Sequence, residues 1–375
     1  MTTIARSDKS WFAEWWRTVD HGILTGVAVL LSCGLLLSLA AGPTAADRIG
    51  YSDPFYFVIR HAVFVAVGIG VFLGTSMLSD RWARRASIAV FLGAFFLLVA
   101  ILVIGYETKG SQRWLRYAGF SLQPSEFVKP ALIVVTAWLL AQRRDLHTVP
   151  WTLIAFSLFA STIALLLLQP DVGQTILLTA SYLVAFFVSG LPLYWALGFG
   201  VGGIGTAVLM YFTFDHVRYR VDSFLDPSNA SYQLQQAHEA ISRGGLLGVG
   251  PGEGRVKYFL PDPHTDFIYA VAGEEFGFLA CLGILIIFLV IALRGMLAAA
   301  RRADPFVRSA GTALFFMFGA QAMINIGVNV GLLPTKGMTL PLISYGGSSM
   351  LGTALTLGLG LALTRKRAEF HPGIM

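Results

Sequence analysis

Ten stretches of the chain, each 18 to 28 residues long, consist almost wholly of apolar side chains. A helix needs about 20 apolar residues to cross the hydrocarbon layer of a bilayer, so each stretch is long enough for one membrane span. This repetition predicts an all-α polytopic membrane protein with about ten transmembrane helices and no large separate soluble domain. The predicted spans are 21–41, 55–78, 86–105, 124–142, 151–168, 172–189, 191–211, 266–293, 309–332 and 340–364.

Composition agrees with this fold class and argues against others. Charged residues make up 13% of the 375 residues, about half the share found in soluble domains, whereas hydrophobic residues reach 55%. A soluble enzyme of this composition would expose large apolar patches, and a disordered chain needs low hydrophobicity with high charge. The net charge of +6 has a simpler cause in membrane orientation than in nucleic-acid binding, so we expect no nucleic-acid partner. The two cysteines lie in apolar runs and form no metal motif.

Lysine and arginine in the loops set the predicted orientation. With the N-terminus in the cytoplasm, 15 of the 27 basic residues fall on the inside and 10 on the outside, as the positive-inside rule favours. Ten spans bring both termini to the cytoplasmic face. The predicted parts are a cytoplasmic segment 1–20, one membrane domain 21–364 and a cytoplasmic tail 365–375. A large extracytoplasmic loop, 212–265, is expected between the seventh and eighth helices.

Ionisable residues are costly in or beside membrane spans, and here they gather at the outer helix ends. Glu126 and Lys129 are three residues apart and share a face of the fourth span, either as a structural ion pair or beside a polar cavity. Asp171 precedes the sixth span, where it either caps that helix or lines a pocket. Arg113 lies in a short outer loop rich in positive charge, which indicates either an amphipathic segment on lipid headgroups or an anion site.

The long outer loop ends in a glycine-rich run followed by a short acidic motif. Six glycines fall within Arg243–Arg255, where they permit unusual backbone angles and close approach to a bulky ligand. Asp266 opens the eighth span, either as an acid favoured at a helix N-terminus or as a reactive carboxylate. His264 and Asp266 are too few ligands for a metal site. In the ninth span, Asn325 and Asn329 share one face and predict interhelical hydrogen bonds.

Further polar residues extend this outer set. Glu274 and Glu275 are expected inside the eighth span, where unpaired acids would be very costly. Lys336 is a lone outer cation before the tenth span. Ser344 and Ser348 lie among glycines at the start of that span, a composition typical of close helix packing. Irregular backbone is tolerated at membrane depth only where protein or water covers it, so the outer face is the predicted functional site.

These motifs, in this order, resemble the SEDS family (shape, elongation, division and sporulation), bacterial membrane proteins that polymerise the glycan strands of peptidoglycan. The run Leu333–Pro341 is more similar to the division branch of the family than to its elongation branch. Asp262 stands where glutamate is common, a change between acids. The resemblance covers almost the whole chain, through the segments 112–114, 123–129, 169–173, 244–254, 260–267, 274–275 and 331–349.

The resemblance implies a peptidoglycan glycosyltransferase with lipid II as its substrate. It places the catalytic carboxylate on Asp266, which would take the proton of the acceptor 4-hydroxyl while the lipid pyrophosphate of the donor leaves and an α linkage inverts to β-1,4. No cofactor is certain, and the chemistry leaves room for a divalent cation at the pyrophosphate. Residues expected to bind substrate are Arg113, Glu126, Lys129, Asp171, Arg243, His264, Lys336, Ser344 and Ser348.

The resemblance also implies location and partners. The family acts in the bacterial inner membrane, and its division branch acts at the septum, with cytoplasmic termini. Expected partners are membrane lipids, a class B penicillin-binding protein transpeptidase and other division proteins.

Two other function classes stay open from the sequence. A flippase or transporter of the lipid-linked precursor would need polar groups through the whole membrane depth. A non-catalytic division scaffold would not depend on Asp266.

Overall fold

The fold is a bundle of helices with one small sheet. The computed structural model describes residues 10–108, 111–117, 120–143, 149–191, 193–213, 218, 221–222, 232–335 and 337–366. Helices in this part of the chain are α1 (Trp11–Thr18), α2 (His21–Ile49), α3 (Tyr56–Ser76), α4 (Asp80–Ile104), α5 (Ser125–Gln142), α6 (Trp151–Leu168), α7 (Val172–Val188), α8 (Leu193–Thr213), α9 (Tyr232–Gly244), α10 (Ile268–Ala300), α11 (Pro305–Asn329) and α12 (Gly347–Thr364).

Ten of these helices correspond to the predicted spans. Eight of them, α2 to α6 and α10 to α12, are long and apolar enough to cross a membrane. The two shorter apolar helices are α7 and the part of α8 from Val201 to Thr213. The prediction of an all-α polytopic fold is therefore confirmed, and the seventh and eighth spans are α8 and α10.

Three helices form the centre of the bundle. In the most apolar part of α5, α11 and α12, 78–83% of the residues are buried, against 22–39% in the other five long helices. The buried apolar residues form two large clusters, one beside α2, α3 and α10 and one beside α4 to α7, and both α11 and α12 contribute to each. Polar side chains on α5, α11 and α12 consequently face protein rather than lipid.

A small antiparallel sheet between α4 and α5 was not predicted. Its strands are β1 (Tyr106–Thr108), β2 (Ser111–Tyr117) and β3 (Phe120–Leu122), in the order β1-β2-β3. The segment was expected to be an amphipathic surface segment or an anion site. Its polar residues lack the helical period, and pairing with neighbouring strands satisfies the backbone groups that a helix would otherwise satisfy internally.

Helix α10 is interrupted near its N-terminal end, which corrects the expectation of one continuous span from residue 266. Gly277 has φ 78° and ψ −177°, a conformation outside the helical region that glycine adopts without a Cβ clash. Glu274 and Glu275 lie on the N-terminal side of this break, before the long apolar stretch that ends at Ala300.

Helix α12 begins at Gly347 rather than at residue 340. The preceding residues 337–346 form an irregular segment, in which Leu342 has a positive φ of 64°. This irregular segment 337–346 passes between α11 and the loop that carries Asp266, and it contributes several contacts to the site described next.

Candidate active site

Asp266 lies in the short turn that joins the glycine-rich loop to α10, which begins two residues later at Ile268. Its side chain is half-buried. It borders a cleft of about 260 Å³ that is also lined by Gln233 on α9, Asn325 on α11 and Gly337 of the irregular segment. A Cβ atom added to Gly337, which has φ 61°, would lie 3.5 Å from Asp266 Oδ2. The carboxylate is thus presented to a cleft with little side-chain bulk on one wall.

The irregular segment 337–346 holds the two residues before Asp266 by their backbone. The backbone N–H of Tyr345 donates to the carbonyl oxygen of His264 at 2.9 Å. The Ser344 hydroxyl donates to the carbonyl oxygen of Thr265 at 2.6 Å and accepts from the Leu340 N–H at 2.8 Å. Ser344, predicted to bind substrate, therefore uses its hydroxyl to fix the chain that enters the site.

Two asparagines of α11 bind the backbone carbonyl oxygen of Asp266, the residue that follows His264 and Thr265. The Nδ2 atoms of Asn325 and Asn329 each lie 3.0 Å from the carbonyl oxygen of Asp266. Asn325 also donates to the carbonyl oxygen of Met338 at 2.6 Å. Asn329 makes one of the predicted interhelical hydrogen bonds, by accepting from the Ala270 N–H of α10, whereas the partners of Asn325 lie in the turn before α10 and in the irregular segment. The contacts at Asp266 were not predicted, because nothing in the sequence shows which backbone group an amide binds.

The imidazole of His264 packs among aromatic rings, which form a cage around it. Its ring centroid lies 4.5 Å from that of Phe57 and 5.3 Å from that of Tyr345. Burial lowers the pKa of His264 to about 4, although the charge of Asp262 acts in the opposite direction. The ring of His264, which was predicted to bind substrate, therefore packs against two other aromatic rings.

Glu126 and Lys129 form a buried ion pair within a network of amides. Lys129 Nζ lies 3.0 Å from Glu126 Oε2 and donates to Gln174 Oε1 at 2.6 Å and to Gln321 Oε1 at 3.3 Å. Gln174 Nε2 donates in turn to Glu126 Oε1 at 2.7 Å. The network joins α5, α7 and α11 and borders a small cavity that reaches Thr353 on α12. The structure thus contains both features that the sequence left open, a buried ion pair and an adjacent polar cavity.

Arg113 and Asp171 also meet, at the turn between α6 and α7. The guanidinium donates to the carbonyl oxygens of Gln169 at 3.3 Å and Pro170 at 2.5 Å and lies 3.5 Å from Asp171 Oδ1. Asp171 caps α7 by accepting from the Gln174 N–H at 3.4 Å. Burial raises the pKa of Asp171, and the charge of Arg113 opposes that shift. Arg113 therefore binds this turn, and an anion would have to compete with three protein acceptors.

The irregular segment 337–346 connects the Asp266 turn with the Glu126 and Lys129 network. Gln321 Nε2 donates to the carbonyl oxygen of Thr339 at 3.3 Å, next to the Met338 carbonyl that Asn325 binds. At the start of α12, the hydroxyl of Ser348 accepts from the Gln123 N–H at 3.0 Å and so ties α12 to the start of α5. The predicted residues on five helices thus converge at one end of the bundle.

The glycine-rich loop fills the break in α10. A broken helix at membrane depth leaves backbone groups without partners, and these must be satisfied by protein. Here the N–H groups of Val249 and Gly250 donate to carbonyl oxygens before the break, those of Glu274 and Glu275, at 2.9 and 3.1 Å. After the break, the N–H groups of residues 278 and 279 donate to the carbonyl oxygens of residues 245 and 246 at 2.9 and 3.2 Å.

The carboxylates of Glu274 and Glu275 anchor the same loop. Glu274 accepts three consecutive backbone N–H groups, those of Arg255–Lys257, at 2.6, 2.7 and 3.0 Å. Glu275 accepts from Lys257 Nζ at 2.5 Å and from the Gly252 N–H at 2.9 Å. Both acids, expected to be costly if unpaired, are fully paired, and their partners lie 17 to 23 residues earlier in the chain.

Two further cations were predicted to bind substrate. Arg243 is exposed near the C-terminal end of α9, and Lys336 lies outside the described residues. No group of three or more His, Cys, Asp and Glu side chains suited to a metal ion occurs among the residues that the structure describes.

The chain was compared with known proteins. The family model for cell cycle proteins of the FtsW, RodA and SpoVE type matches residues 21–369. A "Probable peptidoglycan glycosyltransferase FtsW" of Caulobacter vibrioides is 48% identical, over 97% of this chain and 93% of that protein. A protein of the same description from Halorhodospira halophila is 37% identical, over 94% of this chain and 93% of its own length.

Solved structures with the same fold include two kinds of membrane protein. A chain from a structure described as the coordination of polymerization and crosslinking by a peptidoglycan synthase complex has a TM-score of 0.74 and 28% identity, over 92% of this chain and 97% of its own. The rod shape determining protein RodA of Thermus thermophilus has a TM-score of 0.69 and 26% identity, over 94% and 99% respectively. The chain belongs to the FtsW, RodA and SpoVE family of cell cycle proteins, the SEDS family.

Proposed function

We propose that this membrane protein polymerises lipid II into β-1,4 glycan strands of peptidoglycan during cell division. The observation that carries the proposal is the setting of Asp266, a half-buried carboxylate at a cleft, preceded by backbone that neighbouring segments hold residue by residue. Relatives over almost the full length are described as peptidoglycan glycosyltransferases, which supports the same activity here.

In the proposed reaction Asp266 is the general base. It takes the proton of the acceptor 4-hydroxyl as that oxygen attacks the anomeric carbon of the donor, and the bond from that carbon to the pyrophosphate breaks. Attack opposite the leaving group inverts the linkage from α to β. Because the lipid pyrophosphate is a good leaving group, one base and nearby positive charge suffice. Lys129, Arg243 and Lys336 are the proposed sources of that charge.

A divalent cation at the pyrophosphate is part of the proposal. Since no metal cluster occurs among the described residues, the cation would be bound mainly by phosphate oxygens of the substrate. Removal of divalent ions with EDTA and their replacement by Mg²⁺ tests this point.

The location and partner are proposed from the relatives. We place the chain in the bacterial inner membrane at the division septum, with both termini in the cytoplasm. A class B penicillin-binding protein is the proposed transpeptidase partner, because a structural neighbour belongs to a complex that combines polymerization with crosslinking.

The distribution of buried charge favours a polymerase over a flippase. A transport path would need ionisable groups along the membrane depth. Among the described residues, the buried Asp, Glu and Lys side chains, which are Glu126, Lys129, Asp171, Lys257, Glu274 and Glu275, belong to the site end of the bundle. The buried Arg365 is the exception, and it follows the last turn of α12, where it donates to the carbonyl oxygen of Met77. The buried polar side chains towards the other ends of these helices are mostly serine and threonine hydroxyls bonded to helix carbonyls.

The decisive experiment is polymerisation of purified lipid II by an Asp266→Asn protein, followed by gel separation of the glycan strands. We expect a rate about 10² to 10⁴ times below wild type with an unchanged melting temperature, because a general base contributes about that much. The matched control is Asp262→Asn, a neighbouring acid with φ 53°, a conformation that asparagine tolerates.

Wild-type rates for Asp266→Asn would contradict the proposed chemistry. Transfer of fluorescent lipid II across vesicles by the wild-type protein, without strand formation, would instead support the flippase.

A further inference from the structure

The side chain of Asn329 is completely buried and uses both ends of its amide. Its Oδ1 accepts from the Ala270 N–H at 3.1 Å, while Nδ2 donates to the Asp266 carbonyl oxygen at 3.0 Å and to the Asn325 carbonyl oxygen at 2.9 Å. One side chain of α11 thus contacts the peptide that carries the carboxylate and the first turn of α10.

These contacts replace a cap that α10 lacks. The first N–H groups of a helix have no partner within the helix, and a side chain just before the helix normally satisfies one of them. At the start of α10, Phe267 provides no such side-chain bond. The Ala270 N–H donates both to the Phe267 carbonyl oxygen at 3.1 Å and to Asn329 Oδ1 at 3.1 Å, so α11 supplies the side-chain acceptor at the start of α10.

Asn325 adds a second donor and a link to the opposite wall of the cleft. It binds the Asp266 carbonyl at 3.0 Å and the Met338 carbonyl at 2.6 Å. Met338 follows Gly337, the residue beside the Asp266 carboxylate. The two asparagines therefore fix the Asp266 backbone and the wall that faces its side chain from the same helix.

We propose that Asn329, with Asn325 as second donor, is a positioning residue for glycosyl transfer and sets where the Asp266 carboxylate stands. The inference rests on the proposed role of Asp266 as base. A base displaced by about 1 Å can lose about 10²-fold in rate even when the protein stays folded. Loss of the Asn329 amide removes one of the two donors to the Asp266 carbonyl and, at the same time, the side-chain acceptor of the Ala270 N–H in the first turn of α10. We therefore expect it to move the base rather than the substrate.

The test compares two variants of the same helix in the lipid II polymerisation assay. Asn329→Ala is expected to lower kcat about 10-fold to 100-fold while KM changes less than about twofold. The control is Ser309→Ala, since Ser309 is also buried on α11 and its hydroxyl donates to the Ala185 carbonyl oxygen of α7 at 2.7 Å. Twenty residues of helix, about 30 Å, separate Ser309 from Asn329. Ser309→Ala should therefore lower the melting temperature by a similar amount but leave kcat unchanged.

Asn325→Ala is the milder variant, because the Asn329 bond to the Asp266 carbonyl remains. We expect a kcat about 3-fold to 10-fold below wild type. If Asn329→Ala does not fold, this variant and Asn329→Ser carry the test by the same comparison with Ser309→Ala.

Two results would overturn the inference: a kcat for Asn329→Ala within twofold of wild type, or an equal kcat loss in Ser309→Ala at the same loss of melting temperature. Asp266→Asn is measured alongside. If Asp266→Asn is fully active, the proposed function itself fails. If Asp266→Asn is inactive and Asn329→Ala is normal, only the positioning role fails.

Discussion

Glu274 and Glu126 are both almost completely buried carboxylates at the same end of the bundle, but their partners differ in kind. Glu274 accepts backbone N–H groups of one loop, whereas the Glu126 carboxylate binds the side chains of Lys129 and Gln174, beside a cavity. A carboxylate that binds backbone fixes a chain path. One that binds side chains from other helices can exchange those partners for a ligand without unfolding the loop.

Asp266 is a third case, because α11 holds its backbone carbonyl oxygen through Asn325 and Asn329. The comparison teaches that burial alone does not identify a functional acid in this membrane protein. The kind of partner, backbone or side chain, separates the anchoring acids of the loop from those that face a cleft or cavity.

The largest effect is expected where a carboxylate holds backbone. Glu274→Ala leaves three N–H groups of the loop without an acceptor, at about 1–3 kcal/mol each, so we expect a loss in unfolding free energy on the order of 5 kcal/mol. The melting temperature of the detergent-solubilised protein measures it. The matched control is Glu253→Ala, an exposed glutamate of the same loop, which should change it little.

A Glu274→Ala protein that melts like the control would show that the loop does not need this anchor. In that case Glu274 could no longer be contrasted with Glu126 as an acid that stabilises the fold.

The second prediction concerns the Glu126 and Lys129 pair. Lys129→Met removes one charge and leaves the other buried, with an expected loss of about 3–5 kcal/mol, while the double variant Glu126→Gln, Lys129→Met removes both and should recover most of it. If the cavity binds substrate, the double variant stays inactive in lipid II polymerisation despite its recovered melting temperature.

Recovered activity in the double variant would make the pair purely structural, like Glu274. The double variant thus decides between the two readings that the sequence leaves open.

The third prediction uses the aromatic cage around His264. Its pKa of about 4 in the folded protein is below its ordinary value of about 6.5, so the unfolded chain binds more protons between these pH values. Folding stability is therefore fully present above about pH 6.5 and falls by up to about 3 kcal/mol as the pH drops to about 4. His264→Phe should flatten this part of the melting-temperature profile.

A wild-type profile identical to that of His264→Phe between pH 4 and 6.5 would contradict the assignment. The backbone carbonyl of residue 264 remains available to the Tyr345 N–H in both proteins, so the comparison isolates the imidazole.

Hydropathy predicted the spans because lipid imposes a minimum length on every apolar helix. It could not predict the break at Gly277, since a glycine in an apolar run is equally typical of close helix packing. The partners of Glu274 lie 17 to 19 residues earlier in the chain, and no local pattern pairs a glutamate with those particular N–H groups.

In the candidate site, too, the residues could be predicted from the sequence but their contacts could not. Sequence alone could single out Glu126, Lys129, Asp171 and Asp266 as site candidates, because they are charged residues in or beside apolar segments. Their contacts were not, because they depend on how α5, α7 and α11 pack. Arg113 illustrates this, since a cation predicted for an anion site donates to the carbonyls of Gln169 and Pro170.

The close packing of the glycine-rich loop against the break in α10 has a genetic consequence. A Cβ at Gly244 would lie 1.9 Å from the carbonyl oxygen of Gly273, one at Gly248 would lie 2.2 Å from that of Glu275, and one at Gly277 would lie 2.3 Å from the Gly248 nitrogen. Every missense change in these three codons adds that atom. A screen for division-defective alleles should therefore recover these codons as often as that of Asp266, although none of the three glycines has a reactive group.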